Sequence, residues 1–361
     1  MSRFLQLHLL TAYPVSNPNR DDQGRPKTAV YGGVPRLRIS SQAIKRAARR
    51  SDAMQSALMG HLGQRTQRIG EEVMKALIAE GVGEDTARKA ATSVADVFGK
   101  LDAEAEKKGL IRIRQLAFVS PDERAAAIDI ARRAAGGEDV GKDKDKEFEK
   151  AILRTADGAA DIAMFGRMLA DDPGFNREAA VQVSHAVTTH RALVEDDYYT
   201  AVDDLKTPAE DAGAGFVGEA GYGSGVFYLY ACVDVDLLVE NLQGDRELAA
   251  KAVGALVEAL ATATPSGKRA SFAHQTRAGF VRAERGDQQP RSLAGAFLKP
   301  ITGDDLMAAS VEALTEMAAK LDRAYEPCVD AVETMNVAAG DGSLKAVRAF
   351  AEDAVDTHAD A

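Results

Sequence analysis

The fold is decided by the segment Val226–Val235, which has the sequence VFYLYACVDV. Aromatic and β-branched residues make up most of this segment, and such residues favour an extended strand. The alanine-rich stretch Arg246–Ala261 follows and predicts a helix, and Ala278–Arg282 predicts another strand. The second half of the chain therefore contains a strand, a helix and a strand in succession.

The beginning of the chain predicts a strand followed by a helix. In Phe4–Thr11 three leucines alternate with Gln6 and His8, which predicts a strand with one face turned to solvent or to a ligand. Farther on, Gln42–Arg50 is rich in helix-forming residues, and Ser40 and Ser41 directly before it supply the side-chain oxygens of an N-cap.

Between these two parts, residues 55 to 190 have mostly helical patterns, with a strand possible at Ile111–Val119 and an exposed loop at Gly136–Lys150. A strand–helix pair separated by a helical insertion from a strand–helix–strand unit is typical of a split ferredoxin-like, or RRM-like, core. The predicted fold class is therefore α+β. Asp304–Arg323 and Ser343–Thr357 predict surface helices after this core.

Composition excludes several classes of protein. The chain has 361 residues, of which 45% are apolar, enough for a sizeable core with large insertions. Cys232 and Cys328 lie far apart and form no CxxC motif, which argues against a disulfide framework or a zinc site. The start of the chain does not match a secretory signal, and no apolar run approaches the length of a membrane helix. We therefore expect a soluble, cytoplasmic protein.

A compact basic segment stands out against an acidic chain. Residues Gln23–Ser51 contain eight basic residues and no carboxylate, whereas the whole chain carries a net charge of −10. A concentration of positive charge of this kind is typical of a surface that binds a polyanion, nucleic acid being the first candidate. The alternative is a helix face that is charged only because it is solvated.

The order of residues within this basic segment points to phosphate binding. Arg36–Ile39 alternates basic and apolar residues, which predicts a short strand with a charged edge. In the following helix Gln42, Lys45 and Arg49 fall on one face. A helix N-terminus with free N–H groups, two hydroxyls and a row of cations suits phosphate groups. Because nothing in the segment is suited to reading base edges, we expect binding without sequence choice.

Ordered blocks along the chain resemble one protein family. The matching residues are NRDD at Asn19–Asp22, then Lys27, Gly32, Gly33, Arg36, Arg38–Gln42, Lys45 and Arg46, DIAMFGRM at Asp161–Met168, QVSHAVTTH at Gln182–His190, EDDYYTAVDDL at Glu195–Leu205 and, more weakly, Ser292–Phe297. Several blocks in a fixed order are far more specific than one motif. On these residues the sequence resembles the CasC family, the repeated backbone subunit of Cascade, the type I-E CRISPR interference complex.

The resemblance implies an architecture of palm, fingers and thumb. It assigns residues 1–58, 181–194 and 226–361 to an RRM-like palm with C-terminal helices, residues 59–180 to helical fingers, and residues 195–225 to a β-hairpin thumb. The six glycines of the segment 213–225 fit such a hairpin. In this family the thumb reaches over a neighbouring subunit.

The resemblance also implies a function. Members of the family are non-catalytic subunits that polymerise head to tail along the guide CRISPR RNA (crRNA), kink it at regular intervals and present its bases to target DNA. The implied partners are crRNA, target single-stranded DNA paired with the guide, further copies of the chain and other Cascade subunits. Neither a cofactor nor a metal is implied.

Site residues can be carried over at the matching positions. The residues expected to contact the sugar-phosphate backbone are Arg20, Lys27, Ser40, Gln42, Lys45, Arg46 and Arg49. Met164, Tyr199 and Val202 match residues that family members place against the kinked nucleotide, and Met168 is close enough in sequence to compete with Met164.

Other functions stay open at this stage. Acidic pairs such as Asp21-Asp22 could hold Mg²⁺ in a nuclease, but each pair lies in turn-like sequence, where aspartate shapes loops. His185 and His190 are five residues apart, which is unsuitable for two metal ligands on one helix face. A ferredoxin-like, guide-processing endoribonuclease would use His8 or another histidine as general base. A scaffold protein would use the basic segment to bind acidic partners.

Overall fold

The computed structural model describes residues 3–138, 146–169, 173–201 and 216–356. The strands are β1 (Phe4–Ser16), β2 (Thr28–Tyr31), β3 (Val34–Ile39), β4 (Gln64–Thr66), β5 (Ala117–Val119), β6 (Val181–Val183), β7 (Ala186–Thr188), β8 (Glu195–Ala201), β9 (Phe216–Asp234), β10 (Phe280–Gly286) and β11 (Ala331–Asn336). The helices are α1 (Ser41–Arg49), α2 (Asp52–Ala57), α3 (Ile69–Ala79), α4 (Glu84–Phe98), α5 (Ala103–Glu106), α6 (Pro121–Ala135), α7 (Lys146–Ile152), α8 (Ala160–Phe165), α9 (Val235–Asn241), α10 (Arg246–Thr262), α11 (Arg269–Phe272), α12 (Leu306–Tyr325) and α13 (Leu344–Asp356).

An antiparallel sheet organises the chain, which is a mixed α/β protein. The strand order is β11-β10-β1-β9-β7-β3-β2, and β6 and β8 pair with further parts of the long strand β9. β1 lies in the middle of the sheet and pairs with β9 on one side and β10 on the other. Residues 226–234 form the buried end of β9, which confirms the strand prediction except for Val235, the first residue of α9.

Helices cover one face of this sheet. The helix α10 packs against α1, α2 and α13. Leu5, Leu7 and Leu9 of β1 are buried in the same apolar cluster as Leu256 of α10 and Ile44 of α1. Burial of so many aliphatic side chains is the main source of stability of this layer. The helix predicted at Arg246–Ala261 is therefore confirmed as the central helix of the layer.

The opposite face of the sheet is also covered, which makes one prediction wrong. Gln6 and His8 were expected to face solvent or a ligand, but they are 1% and 0% exposed. The segment after β10 and the helix α12 lie over them, with Phe297 and Leu314 packed against Leu10. The alternation of β1 was predicted correctly. The polar side chains of its second face, however, are buried and find their partners in segments far along the chain.

A buried ionic group holds this second layer in place. The carboxylate of Glu284 pairs with Arg282 and Arg291, and its Oε2 lies 3.4 Å from Nε2 of His8. The hydroxyl of Tyr228 lies 2.9 Å from Nδ1 of His8 and accepts a hydrogen bond from the backbone N–H of Leu293. Burial lowers the pKa of His8, although Glu284 opposes the shift. The ring is therefore neutral near pH 7.

The helical insertion has an apolar core of its own. Val73 and Leu77 of α3 pack with Ala91 of α4 and with Ile152 of α7. Ser120 and Glu123 form a capping box at the start of α6. The same Glu123 carboxylate accepts a hydrogen bond of 2.6 Å from Nη1 of Arg167, and both side chains are buried. Arg167, one of the residues that carries the family resemblance, therefore has a structural role.

Some predicted boundaries were wrong. The strand expected at Ile111–Val119 is limited to Ala117–Val119, and the loop expected at Gly136–Lys150 ends in helix from Lys146. Residues 139–145 of that loop lie outside the described residues. In the part of the chain that the structure describes, no helix is both long enough and apolar enough to cross a membrane.

Candidate nucleic-acid interface

The N-terminus of α1 is built as its sequence predicts. The side chain of Ser40 accepts a hydrogen bond from the backbone N–H of Ala43 and is the N-cap of the helix. The backbone N–H of Ser40 donates to Oδ1 of Asn19 at 2.8 Å. The loop that carries Asn19 and Arg20 is therefore fixed to the start of the basic helix. The N-cap prediction is confirmed, and Ser40 itself is buried.

His185, which the sequence offered only as a poor candidate for a metal ligand, lies at the same place. Nδ1 of His185 accepts a hydrogen bond of 3.0 Å from the backbone N–H of Ser41, so one of the helix N–H groups expected to be free is occupied. Desolvation lowers the pKa of His185, and the nearby Arg38 and Lys27 lower it further. The N-terminus of α1 thus lies beside two cations and a neutral imidazole.

The backbone brings these two cations together. The N–H of Lys27 donates to the carbonyl of Asn19 at 3.0 Å, and the N–H of Arg38 donates to the carbonyl of Lys27 at 2.8 Å. The β2–β3 turn needs Gly32, because a Cβ there would lie 1.7 Å from the carbonyl oxygen of Leu298. Lys27, Arg38 and the start of α1 therefore form one basic surface.

Arg36 does not belong to this surface, so the predicted charged edge of β3 is wrong at that position. Its side chain is fully buried. It donates hydrogen bonds to the carbonyl oxygens of Tyr31, Thr188 and Phe297. Because these three carbonyl groups belong to separate segments of the chain, the buried Arg36 side chain holds the segments together.

The outer face of α1 is polar and cationic. Gln42, Arg46 and Arg50 are exposed, whereas Lys45 and Arg49 are half-buried. Partial burial lowers the pKa of Lys45, and Arg65 lowers it further. Arg65 of the neighbouring strand β4 therefore adds positive charge to this face.

Arg49 is already engaged within the protein. Its guanidinium donates to Oδ2 of Asp161 at 2.8 Å and lies over the ring of Phe118, 4.3 Å from the centroid. Burial raises the pKa of Asp161, and Arg49 opposes that shift. Arg65 lies over the same ring at 4.8 Å. Sequence reasoning missed Arg65, because only the fold brings β4 next to α1.

The segment predicted as a thumb contains an antiparallel strand pair. Glu195–Ala201 pairs with residues 216–222, the first part of β9. Tyr199 is 46% exposed and lies 6.1 Å from the ring of Phe216. Arg25 pairs with Asp196 at 2.8 Å and fixes the base of the hairpin to the Arg20 loop. Val202 lies outside the described residues.

Met164 and Met168 have opposite environments. Met164 is fully buried in α8, so as described its side chain has no surface to offer a nucleotide. α8 ends at Gly166, which has φ +74°, and Met168 beyond it is 78% exposed. The alternative that the sequence left open, Met168, is therefore the accessible one.

Asp21 and His8, which the sequence offered for a nuclease, have structural partners. Oδ1 of Asp21 accepts from the backbone N–H groups of Gln23 and Arg25, so it shapes a turn. Within the described ranges no three His, Cys, Asp or Glu side chains are grouped to hold a metal ion. His8, the general base suggested for a nuclease, is buried between Tyr228 and Tyr230.

Two solved structures are similar to the chain over nearly all of its length. One, titled "CRISPR RNA-guided surveillance complex, pre-nicking", is 31% identical with a TM-score of 0.83, and the match covers 97% of this chain and 100% of that chain. The other, titled "CRISPR RNA-guided surveillance complex", is 25% identical with a TM-score of 0.59 and coverages of 97% and 99%. No curated protein sequence matches the chain. The family model described as CT1975-like protein matches residues 5–359, and the chain therefore belongs to the CT1975-like protein family.

Proposed function

We propose that the chain is a CasC-type, non-catalytic backbone subunit of a type I-E CRISPR interference complex. It polymerises along the guide crRNA, holds the sugar-phosphate backbone and presents the bases for pairing with target DNA. The observation that carries the proposal is the basic face of α1 in a chain that matches a CRISPR RNA-guided surveillance complex chain end to end.

The phosphate-binding surface follows the N-terminus and outer face of α1. Lys27 and Arg38 lie at the start of the helix, and Gln42, Lys45 and Arg46 lie along it. Point charges beside a helix N-terminus are suited to phosphate oxygens. Arg20 extends the surface from the loop that Asn19 fixes to Ser40. Ser40 contributes as the cap that positions the helix.

Arg49 takes a different part in this proposal. Its guanidinium is held by Asp161 and Phe118, so it cannot serve phosphate as freely as Lys45 or Arg46. It adds positive potential to the surface and positions the α1 face against the helical insertion. Contact with RNA by Arg49 itself would require exchange of its carboxylate partner.

The hairpin supplies the contact between copies and the kink in the guide. Tyr199 and Phe216 are exposed on one face of the β8–β9 strand pair, and Tyr198 and Val217 are exposed on the other face. Exposed apolar side chains grouped on a strand pair indicate a binding surface. Tyr199 and Val202 reach the RNA on the next copy, and Met168 takes the role expected of Met164. Because the hairpin of one copy contacts a different surface of the next, the contact between copies is heterologous. Heterologous contacts that do not close generate helical filaments.

The sheet supports an RRM-like palm for this subunit. The central strands follow the order β10-β1-β9-β7, all antiparallel, with α1 and α10 on one face. This is the strand order of a ferredoxin-like unit whose second strand is replaced by the short strands β6 and β7. In this proposal the protein holds the backbone of the guide, and the target sequence is recognised by base pairing with the guide.

The test is binding of the purified chain to single-stranded RNAs of unrelated sequence at two salt concentrations, followed by nuclease footprinting. We expect binding that ignores sequence, weakens with salt and gives evenly spaced protection. Failure to bind any RNA at physiological salt contradicts the proposal and favours a scaffold protein.

The rival function is endoribonucleolytic processing of the guide, for which one accessible histidine could be the general base. His185 is exposed beside Lys27 and Arg38, unlike the buried His8. Incubation with repeat RNA distinguishes the two functions. Cleavage that disappears in His185→Ala supports the nuclease, whereas intact RNA with either protein supports a non-catalytic subunit.

A further inference from the structure

A second basic surface lies on the helical insertion, away from the N-terminus of α1. Its sequence elements are QRTQR at 64–68, around β4, and RIRQL at 112–116, just before β5. Arg65, Arg68 and Arg114 of these elements are exposed. None of them belongs to the basic segment Gln23–Ser51 or to the residues that the sequence predicts to contact RNA.

Hydrogen bonds hold the two elements side by side. The backbone N–H of Ile113 donates to the carbonyl of Gln67 at 3.0 Å, and Nε2 of Gln67 donates to the carbonyl of Arg114 at 2.8 Å. Ile113 is fully buried, so the strand-like segment cannot turn its arginine side inward. Arg68 and Arg114 therefore project from adjoining segments of one rigid surface.

Within the described residues these three arginines lack the carboxylate partners that many other arginines of the insertion have. Arg112 pairs with Glu71 and Arg124 pairs with Glu72, which uses the two nearest acidic side chains of α3. Elsewhere on the insertion, Arg88, Arg132 and Arg133 pair with Glu84, Glu80 and Glu138. Among the described residues Arg65, Arg68 and Arg114 form no ion pair. On a chain of net charge −10, such unpaired clustering indicates a surface for an external anion.

The surface is continuous with the basic face of α1. Arg65 and Arg49 both lie over the ring of Phe118, at 4.8 and 4.3 Å from its centroid. Desolvation lowers the pKa of Arg65, and the nearby Arg49 and Arg46 add to the effect, whereas Asp161 opposes it. The cations of α1 and β4 therefore meet at Phe118, with the Asp161 carboxylate beside them.

An apolar residue lies among these cations. Leu116 is 64% exposed, two positions after Arg114, and the intervening Gln115 is exposed as well. Arginines bind phosphate oxygens, and an exposed leucine can be inserted between bases.

We propose that Arg65, Arg68, Arg114 and Leu116 form a second binding surface for single-stranded nucleic acid, which adjoins the basic face of α1. The class of ligand rests on the proposed function. Two sources share its chemistry: a further segment of the guide bound at α1, or a second strand that pairs with the guide.

The experiment compares the triple variant Arg65→Ala/Arg68→Ala/Arg114→Ala with the wild type and with a matched control. The control, Arg88→Ala/Arg132→Ala/Arg133→Ala, makes the same change in net charge on the same helical insertion, but at paired arginines. The double variant Arg68→Ala/Arg114→Ala keeps the Arg65 contact with Phe118, in case the triple variant does not fold. Far-UV circular dichroism and thermal midpoints establish that each protein is folded.

Two affinities are measured. The first is that of the protein for a defined single-stranded RNA, and the second is that of the RNA-loaded protein for a single-stranded DNA complementary to this RNA. If the ligand is the guide, the slope of log affinity for RNA against log salt falls by about 2 in the triple variant, at about 0.7 for each lost phosphate contact. If the ligand is the second strand, RNA binding is unchanged and affinity for the DNA falls roughly tenfold. The control changes neither.

Two results overturn the proposal and can be told apart. A wild-type chain that binds RNA, with triple and control variants that behave alike in both measurements, removes the second surface and leaves the proposed function intact. A wild-type chain that binds neither nucleic acid removes both.

Discussion

Nη2 of Arg49 lies 2.8 Å from Oδ2 of Asp161 and joins the basic helix α1 to α8. The two side chains are 16% and 2% exposed, and Oδ1 of the same carboxylate accepts a hydrogen bond of 2.7 Å from the backbone N–H of Gly63. The pair therefore acts as a structural link beneath the candidate RNA surface. Because Arg49 is engaged in this pair, it is not among the cations that are available to a ligand.

Arg49→Ala is expected to destabilise the fold because it leaves the Asp161 carboxylate buried without its cation. Breaking a buried pair costs about 3 kcal/mol of unfolding free energy. Chemical denaturation measures this loss, and the double variant Arg49→Met/Asp161→Asn should recover part of it. A stability equal to that of the wild type, with strongly reduced RNA affinity, would show instead that Arg49 contacts RNA directly.

Lys45→Ala should weaken binding to every single-stranded RNA to a similar extent. Lys45 has no carboxylate partner within ion-pair distance among the described residues, so its charge is available to phosphate. Loss of one phosphate contact lowers the slope of log affinity against log salt by about 0.7. Lys320→Ala on α12, where the lysine pairs with Glu316, is the control. An effect confined to one RNA sequence would contradict backbone recognition.

Met164→Ala and Met168→Ala should have different effects. Truncation of the buried Met164 costs about 2–5 kcal/mol of stability because it leaves a cavity in the core. Met168→Ala should leave the thermal midpoint unchanged, since this side chain is exposed, and should alter the regular spacing of RNA protection in a nuclease footprint. If Met164→Ala alone altered the footprint of a stable protein, the assignment to Met168 would be wrong.

Tyr199→Ala should disturb assembly on RNA without changing its salt dependence. The Tyr199 ring is half-exposed beside Phe216 and carries no charge. We expect RNA-bound oligomers to shorten in sedimentation or negative-stain images, while the salt slope stays that of the wild type. A reduced slope would place Tyr199 on the phosphate surface instead.

The buried group around His8 predicts acid sensitivity. Burial lowers the pKa of His8 in the folded protein; for Glu284, hydrogen bonds and the charges of its partners outweigh burial and hold the carboxyl pKa well below its usual range. Both folded pKa values lie below the unfolded values, so their contribution to stability is complete above about pH 6.5 and is lost as the pH falls.

Urea midpoints measured against pH test this dependence. We expect the midpoint to be constant above about pH 7 and to fall on acidification, first through His8 and then, below about pH 4.3, through Glu284. His8→Gln should reduce the first part of the fall and leave the second. Equal curves for both proteins between about pH 7 and 5 would exclude His8 as the cause.

The sequence predicted the elements whose signal is local. The strand at Val226–Val235 and the helix at Arg246–Ala261 were found because β-branched residues and alanine-rich periodicity act within a few residues. Ser40 was found as an N-cap for the same reason. The basic segment was equally visible, since charge density along a chain needs no knowledge of the fold.

Environment, in contrast, could not be predicted from pattern. Arg36 and Arg38 alternate in the same strand, yet Arg36 is buried against three carbonyl groups and Arg38 lies beside His185. Met164 and Met168 are four residues apart in the segment Asp161–Met168, which carries the family resemblance. The chain turns at Gly166 between them, so that Met164 lies in the core and Met168 is exposed.

The amino-acid sequence by itself determined the main strands and helices, the N-cap of α1 and the concentration of cations near it, because these depend on neighbours along the chain. Only the tertiary structure decided which cations are free. Arg49 is held by Asp161 and Arg36 by the carbonyls of Thr188 and Phe297, whereas Arg65 joins the basic surface through Phe118. The reason is that desolvation and ion pairing depend on groups distant in sequence, which meet only when the sheet and the helical insertion pack together.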